Sequence, residues 1–107
     1  MFARILEFTP RWEKKEELVK VTKNEILPIL KKQTGFLEIL PFVPDIKTEK
    51  VLAISLWMEK KDIERYERET FHKVEEILKP YLTTPITFKL YAVETAVCEH
   101  FVSALAA

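Results

Sequence analysis

The 107-residue chain has few of the residues on which cofactor and metal chemistry usually depends. Gly35 is its single glycine, so the glycine-rich loops that cradle nucleotide phosphates are missing. Cys98 is its single cysteine, which excludes an internal disulfide and favours a reducing compartment. Two histidines and one cysteine do not supply a set of metal ligands. We therefore expect no metal site and no cofactor.

An excess of charge of one sign and long apolar runs are also lacking. Seventeen Lys and Arg residues balance seventeen Asp and Glu residues, and no basic block stands out. Because binding to phosphates needs a concentrated positive surface, nucleic acid is not an expected partner. No apolar run approaches the ~20 residues of a membrane span, so no membrane partner is expected. The first residues lack the basic-then-apolar order of a signal peptide, and a cytoplasmic location is expected.

The hydrophobic pattern predicts one α+β domain over residues 1–97 and a C-terminal tail over residues 98–107. Alternating apolar residues predict strands over 2–9, 36–43, 51–57 and 86–97, and apolar stripes at helical spacing predict helices over 10–33 and 59–82. Pro28 should kink the first helix, and Gly35 should end it. The β-α-β-β-α-β order is ferredoxin-like: a four-stranded antiparallel sheet with helices on one face.

The stretch Val51–Trp57 is apolar on both faces. Leu52, Ile54, Leu56 and Met58 alternate with Val51, Ala53, Ser55 and Trp57. The second set is small except for its tryptophan, which predicts the floor of a small apolar pocket. Two helices cover only one face of a four-stranded sheet, and the other face would remain exposed and apolar. We therefore expect a homodimer in which two copies pack through this sheet face.

Several short motifs resemble those of the antibiotic biosynthesis monooxygenase-like domains of the dimeric α/β barrel superfamily. They are Pro10, Gly35-Phe36, Ser55-Leu56-Trp57, Lys60-Lys61-Asp62 and Tyr66. The resemblance implies two ferredoxin-like subunits that close into a dimeric α/β barrel, each with a ligand cleft between sheet and helices. The resemblance implies three possible functions. Characterised members include cofactor-independent oxygenases of polyphenols, haem-degrading enzymes and proteins that handle small signalling molecules.

Haem degradation is disfavoured within this resemblance. That branch needs an asparagine in strand one, whereas the only asparagine of this chain, Asn24, belongs to the first predicted helix. Its haem-binding histidine would fall where this chain has Glu75 and Glu76, and His72 comes about one turn too early.

Five residues are candidates for the site. Trp57 can stack on a flat substrate, or it can simply close the core. Tyr66 can contact substrate or pack in the core, and Ser55 and Thr22 can orient a ligand or bond to backbone. His72 is the candidate catalytic residue, as the only histidine outside the tail, although on a continuous helix it would face solvent. A helix break at Thr70 would be needed to turn it towards the cleft.

Three functions stay open at this point. The first is a cofactor-independent monooxygenase that acts on a small aromatic substrate such as a quinol or polyphenol. The second is a non-catalytic module that binds a small apolar or aromatic ligand in the same pocket. The third is a structural dimer whose cleft is filled by its own side chains. An open pocket would favour the first two, and oxygen uptake would separate them.

Overall fold

The computed structural model describes residues 1–98, which contain four β-strands. They are β1 (Phe2–Phe8), β2 (Phe36–Phe42), β3 (Val51–Trp57) and β4 (Thr87–Ala92). All the pairings are antiparallel, and the strands lie in the spatial order β2-β3-β1-β4. This is the ferredoxin-like sheet that the sequence predicted. It places the two-faced strand β3 in the centre, beside β1.

Two helical regions cover one face of this sheet. The first contains a 3₁₀ turn (Trp12–Lys14), α1 (Lys15–Val21), a π-turn (Thr22–Ile26) and α2 (Leu27–Lys31). The second contains α3 (Lys60–Glu69), α4 (Phe71–Leu78) and a 3₁₀ turn (Lys79–Tyr81). The helix predicted over 59–82 is interrupted at Thr70, where a break was the alternative, since this residue has φ −131° and ψ −33° between the two helices. Its hydroxyl donates to the side chain of Gln33 at 3.3 Å and so connects this break to the turn that follows α2.

The core lies between the sheet and these helices. Leu6, Phe8, Val51 and Trp57 of the central strands are buried against residues from both helical regions. The helical members of the cluster are Leu18, Val21, Ile26, Leu30, Ile63, Tyr66, Phe71, Val74 and Leu78. The alternation predicted for β1 and β3 is therefore confirmed, because the inward set of each strand is the set in the core.

The first helical region departs from the uninterrupted helix of the prediction. Its buried residues Leu18, Val21, Ile26 and Leu30 are separated by three, five and four positions. A step of five does not fit one face of an α-helix, in which neighbours lie three or four residues apart. The π-turn accommodates the step, and the Leu27 N–H bonds to the Thr22 carbonyl five residues before it. The helix thereby keeps both apolar halves on the sheet.

Two element boundaries also differ from the prediction. Thr9 and Pro10 continue strand-like contacts, since the Thr9 carbonyl accepts from the Thr83 N–H at 2.9 Å and Pro10 bridges Leu82. The first helix consequently starts after them. The last strand ends at Ala92 instead of Val97, because its partner strand begins at Phe2, opposite Ala92. A 3₁₀ turn (Thr95–Val97) follows, and apart from Cys98 the predicted tail lies outside the described residues.

The second face of the sheet carries no helix among residues 1–98. Ala3, Ile5 and Glu7 of β1 alternate with its core residues, and Leu52, Ile54 and Leu56 do so on β3. The edges of this face expose Phe42 (50%), Met58 (49%) and Tyr91 (51%). This face is therefore largely apolar and exposed at its edges. Monomeric proteins rarely present an apolar surface of this kind.

Candidate functional site

A cavity of about 300 Å³ lies between the sheet and the two helical regions. Its volume is at the lower end of the range for small-molecule sites, roughly 300–1,000 Å³. The strand residues that line it are Arg4, Leu6, Phe8, Ile39, Pro41, Val51, Ala53 and Ser55. The helical side is formed by Leu18, Val19, Thr22, Ile26, Leu27, Leu30, Tyr66, Val74 and Leu78, among others. The lining is thus apolar over most of its extent, and its polar groups are few.

The register of the strands arranges the cavity floor in rows. Arg4, Ser55 and Ile39 are direct neighbours across the sheet, and the next row contains Leu6, Ala53 and Pro41. Because residues two apart on a strand point to the same face, these rows lie one behind the other. The polar residues of the floor, Arg4 and Ser55, therefore share one end of it.

The cavity opens between α1 and the edge strand β2. The exposed residues of its lining mark this opening, hereafter the mouth: Lys15, Val19 and Lys23 on the helical side, and Pro41 and Val43 on the strand side. Trp12 also contributes to the lining, and its indole N–H donates to the Lys47 carbonyl at 3.0 Å. This bond ties the loop between β2 and β3 to the start of the first helical region.

Trp57 closes the polar end of the cavity from behind. It is fully buried, with Phe36 edge-on at 5.4 Å and Tyr66 at 5.1 Å between ring centroids. Its indole N–H donates to the Ser55 hydroxyl at 2.9 Å, and this hydroxyl donates in turn to the Arg4 carbonyl at 3.4 Å. Trp57 is not among the lining residues. It holds Ser55 through the hydrogen bond and Tyr66 through the ring contact, and both of these residues line the cavity.

Tyr66 presents part of its ring to the cavity from α3. Burial raises the pKa of its phenol to about 12, with Glu67 adding to the rise and the positive charge of Arg4 opposing it. A phenol with this pKa is neutral at physiological pH, so it can donate a hydrogen bond and does not serve as a base.

Thr22 lines the cavity at the start of the π-turn. Its hydroxyl donates to the Leu18 carbonyl at 2.7 Å, one helical turn earlier. The hydroxyl proton is therefore used in a bond to the backbone. Towards a ligand, the Thr22 hydroxyl can only accept a hydrogen bond.

His72 is not brought to the cavity. The break at Thr70 exists, yet His72 remains exposed on α4, and the cavity-facing residues of that helix are Val74 and Leu78. The helix restarts after the break with Phe71 turned inward, which directs the next position outward. The structure therefore brings together Ser55, Thr22 and Tyr66, with Trp57 behind them, and leaves His72 on the surface.

Arg4 is a site residue that the sequence reasoning did not select. Its side chain is only 1% exposed, and its Nε donates to the Glu67 carboxylate at 2.8 Å. The guanidinium lies 4.1 Å from the centre of the Phe71 ring and 4.5 Å from that of Phe88. A signal was present in the sequence, since Arg4 alternates with apolar residues on the inward face of β1.

Within residues 1–98, no three His, Cys, Asp or Glu side chains lie close enough together to hold a metal ion. No helix of the described part of the chain is long and apolar enough to cross a membrane.

No protein-family model matches the sequence, and no curated protein is significantly similar to it. Solved structures do match its fold. One is a monooxygenase from the gene ActVA-Orf6 of Streptomyces coelicolor, in complex with the ligand Nanaomycin D, with TM-score 0.72, 14% identity, and coverage of 87% of each chain. Another, provisionally named an antibiotic biosynthesis monooxygenase, is from Nitrosomonas europaea, with TM-score 0.69, 10% identity, and coverage of 88% of this chain and 99% of that one.

A third match is a conserved protein from Methanosarcina mazei Go1, with TM-score 0.68, 17% identity, and coverage of 88% and 94%. At these identities the likeness concerns the fold. The chain therefore has the fold of antibiotic biosynthesis monooxygenase-like domains, as its motifs predicted.

Proposed function

We propose that the chain binds a small, flat and largely apolar molecule in the cavity and acts on it as a cofactor-independent monooxygenase. The observation that carries the proposal is the open cavity of about 300 Å³, with its mostly apolar walls and with the polar residues of its floor, Arg4 and Ser55, at one end. Pockets for small molecules combine these two features, because the walls supply desolvation and the few polar groups supply orientation. A structural dimer with a filled cleft is the less suitable interpretation, since the cleft is open.

A monooxygenase reaction without a cofactor needs an electron-rich substrate such as a quinol or polyphenol. Such a molecule, once deprotonated, can itself donate electrons to dioxygen. In a conversion of a CH₂ group to C=O, one oxygen atom enters the product and the other leaves as water with the two hydrogens. The protein then has to desolvate the substrate, hold it in place and stabilise its anion. The Streptomyces coelicolor structure supports the proposal, because it is a monooxygenase of the same fold with a ligand bound.

Within this proposal, Ser55, Thr22 and Tyr66 contact the substrate, and Trp57 holds the first and last of them in place. The second candidate function is a non-catalytic binder of the same kind of ligand. It is favoured by the absence of a histidine, aspartate or glutamate from the lining contributed by residues 1–98. A catalytic role for His72 stays a prediction that a substitution can test.

We also propose that the chain is a homodimer through the uncovered sheet face. The apolar residues of β1 and β3 on that face, with Phe42 and Tyr91 at its edges, match what a second copy would bury. A sheet packed against its symmetry mate would complete the dimeric barrel that the resemblance implies, and it would leave the mouth of the cavity on the opposite side of each sheet.

Oxygen consumption with a panel of quinols and polyphenols tests the proposal. We expect uptake with at least one substrate, and labelled dioxygen should leave one labelled oxygen atom in the product. Ala53→Leu, which places a larger side chain on the cavity floor, should reduce uptake, whereas Ala92→Leu on the exposed edge strand should not. Binding without uptake would support the non-catalytic alternative, and the absence of both would refute the proposal.

The same assay addresses His72. His72→Ala should lower uptake if this residue transfers a proton, and an unchanged rate would remove it from the mechanism. Trp57→Phe is the comparison variant, since it keeps an aromatic ring and loses the hydrogen bond to Ser55.

A further inference from the structure

The charged groups of the cavity are all of one sign. The lining contributed by residues 1–98 includes three cations, Arg4, Lys15 and Lys23, and no carboxylate. The chain as a whole has equal numbers of acidic and basic residues, so this imbalance is local to the cavity. Lys15 and Lys23 lie at the mouth, and Arg4 lies at the buried end of the floor. Cationic side chains therefore lie at both the entrance and the inner end of the cavity.

The hydrogen-bonding capacity of Arg4 is only partly used. Its Nε is paired with Glu67, a residue whose side chain is 32% exposed. Its Nη2 is buried and finds no hydrogen-bond partner within the described part of the chain. Buried polar groups are nearly always paired, and an unpaired donor on a charged group is costly. Stacking on Phe71 and Phe88 stabilises the guanidinium but supplies no acceptor for this N–H group.

Arg4 lines the cavity at the end of its floor, next to Ser55, so a ligand with an acceptor oxygen at that end would offer this N–H group a partner. The Ser55 hydroxyl donates to the Arg4 carbonyl and accepts from Trp57, and it is not a hydrogen-bond partner of Nη2. A ligand oxygen placed beside these residues would meet the Arg4 cation, whose side chain is only 1% exposed. An anionic oxygen gains most there, because charge-assisted hydrogen bonds are the strong ones.

We infer that the cavity selects ligands that carry an anionic oxygen, a phenolate or a carboxylate, on an apolar body, and that Arg4 binds this oxygen. The inference rests on the proposed function and specifies its substrate class. Arg4 would hold the deprotonated form of a phenolic substrate, the form that reduces dioxygen. Lys15 and Lys23 would raise the local concentration of such anions at the mouth.

The test measures preference for charge with two probes of the same shape. Calorimetric titration of the full-length chain compares 2-naphthoate with the neutral naphthalene-2-carboxamide. We expect the wild type to bind the carboxylate about tenfold to a hundredfold more tightly. Arg4→Met should abolish the preference, and Arg4→Lys should retain part of it. Arg68→Met, which removes an exposed charge from the same helix as Tyr66, should leave it unchanged.

A second probe distinguishes phenolate from carboxylate. The phenolate of 4-nitrophenol absorbs visible light, so absorbance against pH reports which form is bound. Bound to the wild type, this phenol should ionise at lower pH than when free, and Arg4→Met should remove the difference. A response to one probe class alone would identify the anion that the site takes.

The ratio of the two affinities separates a loss of charge preference from a loss of folding. A variant whose fold is destabilised should bind both naphthalene probes more weakly by the same factor. Equal binding of the two by the wild type would overturn the inference while leaving the proposed function intact. A preference that survives in Arg4→Met would overturn the role of Arg4. Binding of neither probe by a folded wild type would count against the proposed function as well.

Discussion

Gly35 allows a sharp test of how the sheet joins the second helical region. Its φ of +84° lies in the left-handed region, and its carbonyl accepts from the Met58 N–H at 2.8 Å. A β-carbon added at this position would overlap the carboxylate of Asp62, and the β-carbon of Asp62 would lie 2.8 Å away. Asp62 is itself buried, at 5% exposure, and Arg65 holds it at 3.5 Å. Gly35→Ala therefore meets both a backbone and a packing obstacle.

The two obstacles can be weighed separately. A left-handed conformation costs an alanine about 1–2 kcal/mol. Forcing a methyl group into a packed site costs a further ~1–3 kcal/mol. We expect Gly35→Ala to lower the free energy of unfolding by about 2–5 kcal/mol, which is a large share of the ~5–15 kcal/mol of an ordinary domain.

Urea unfolding monitored by circular dichroism measures this loss, with the exposed neighbour Thr34→Ala as the matched control. The Asp62→Ala background removes the overlapping carboxylate but keeps the backbone cost and the contact with the β-carbon of residue 62, so there the effect of Gly35→Ala should shrink by about 1 kcal/mol or more. A loss below about 0.5 kcal/mol, or an equal loss in both backgrounds, would refute the reasoning.

Three further predictions concern the site and the assembly. Trp57→Phe should lower the free energy of unfolding by about 2–3 kcal/mol in urea titrations, because it removes the bond to Ser55 and leaves a void; an unchanged stability would contradict its supporting role. Burial keeps the Tyr66 phenol protonated with a pKa of about 12, so stability should fall as pH rises from about 10 to 12. At pH 11 this loss is about 1.4 kcal/mol, and Tyr66→Phe should lack it; an identical pH profile in both proteins would show that other groups dominate. Ile54→Glu should yield monomers in sedimentation velocity, whereas Glu76→Lys on the helical surface should remain dimeric; a monomeric wild type at micromolar concentration would refute the dimer.

The sequence predicted the sheet well because the signal for it is local. Alternation along β3 separated Ala53, Ser55 and Trp57 from Leu52 and Ile54, and the structure confirms that separation. A strand exposes its faces through a period of two, and that period can be recognised without any knowledge of its neighbours. The break at Thr70 was only an alternative to the helix predicted over 59–82, and the structure contains the break.

The contents of the site were harder to predict because they depend on register and on neighbours in space. Trp57 was expected on the pocket side of the sheet and lies on that side. Tyr66 and Ser55, which contact it, line the cavity, and Trp57 does not. Arg4 was not among the five candidates. It pairs with Glu67, and its position opposite Ser55 follows only from the pairing of β1 with β3. No periodicity within one strand contains that information.

The π-turn makes the cavity wall sensitive to the number of residues in the chain. Each residue of an α-helix turns the next side chain by about 100°. In an uninterrupted α-helix, one extra residue would turn Ile26 and Leu30 by that angle away from the face of Leu18 and Val21, and the π-turn absorbs it. Removing one residue from Thr22–Ile26 would shorten the step from Val21 to Ile26 from five positions to four, which ordinary α-helix accommodates. Ile26 and Leu30 would then stay on the sheet, and the change would fall on the wider turn itself, where Thr22 and Leu27 line the cavity. Related chains without the extra residue should therefore keep the same apolar face and differ in the cavity wall around this turn.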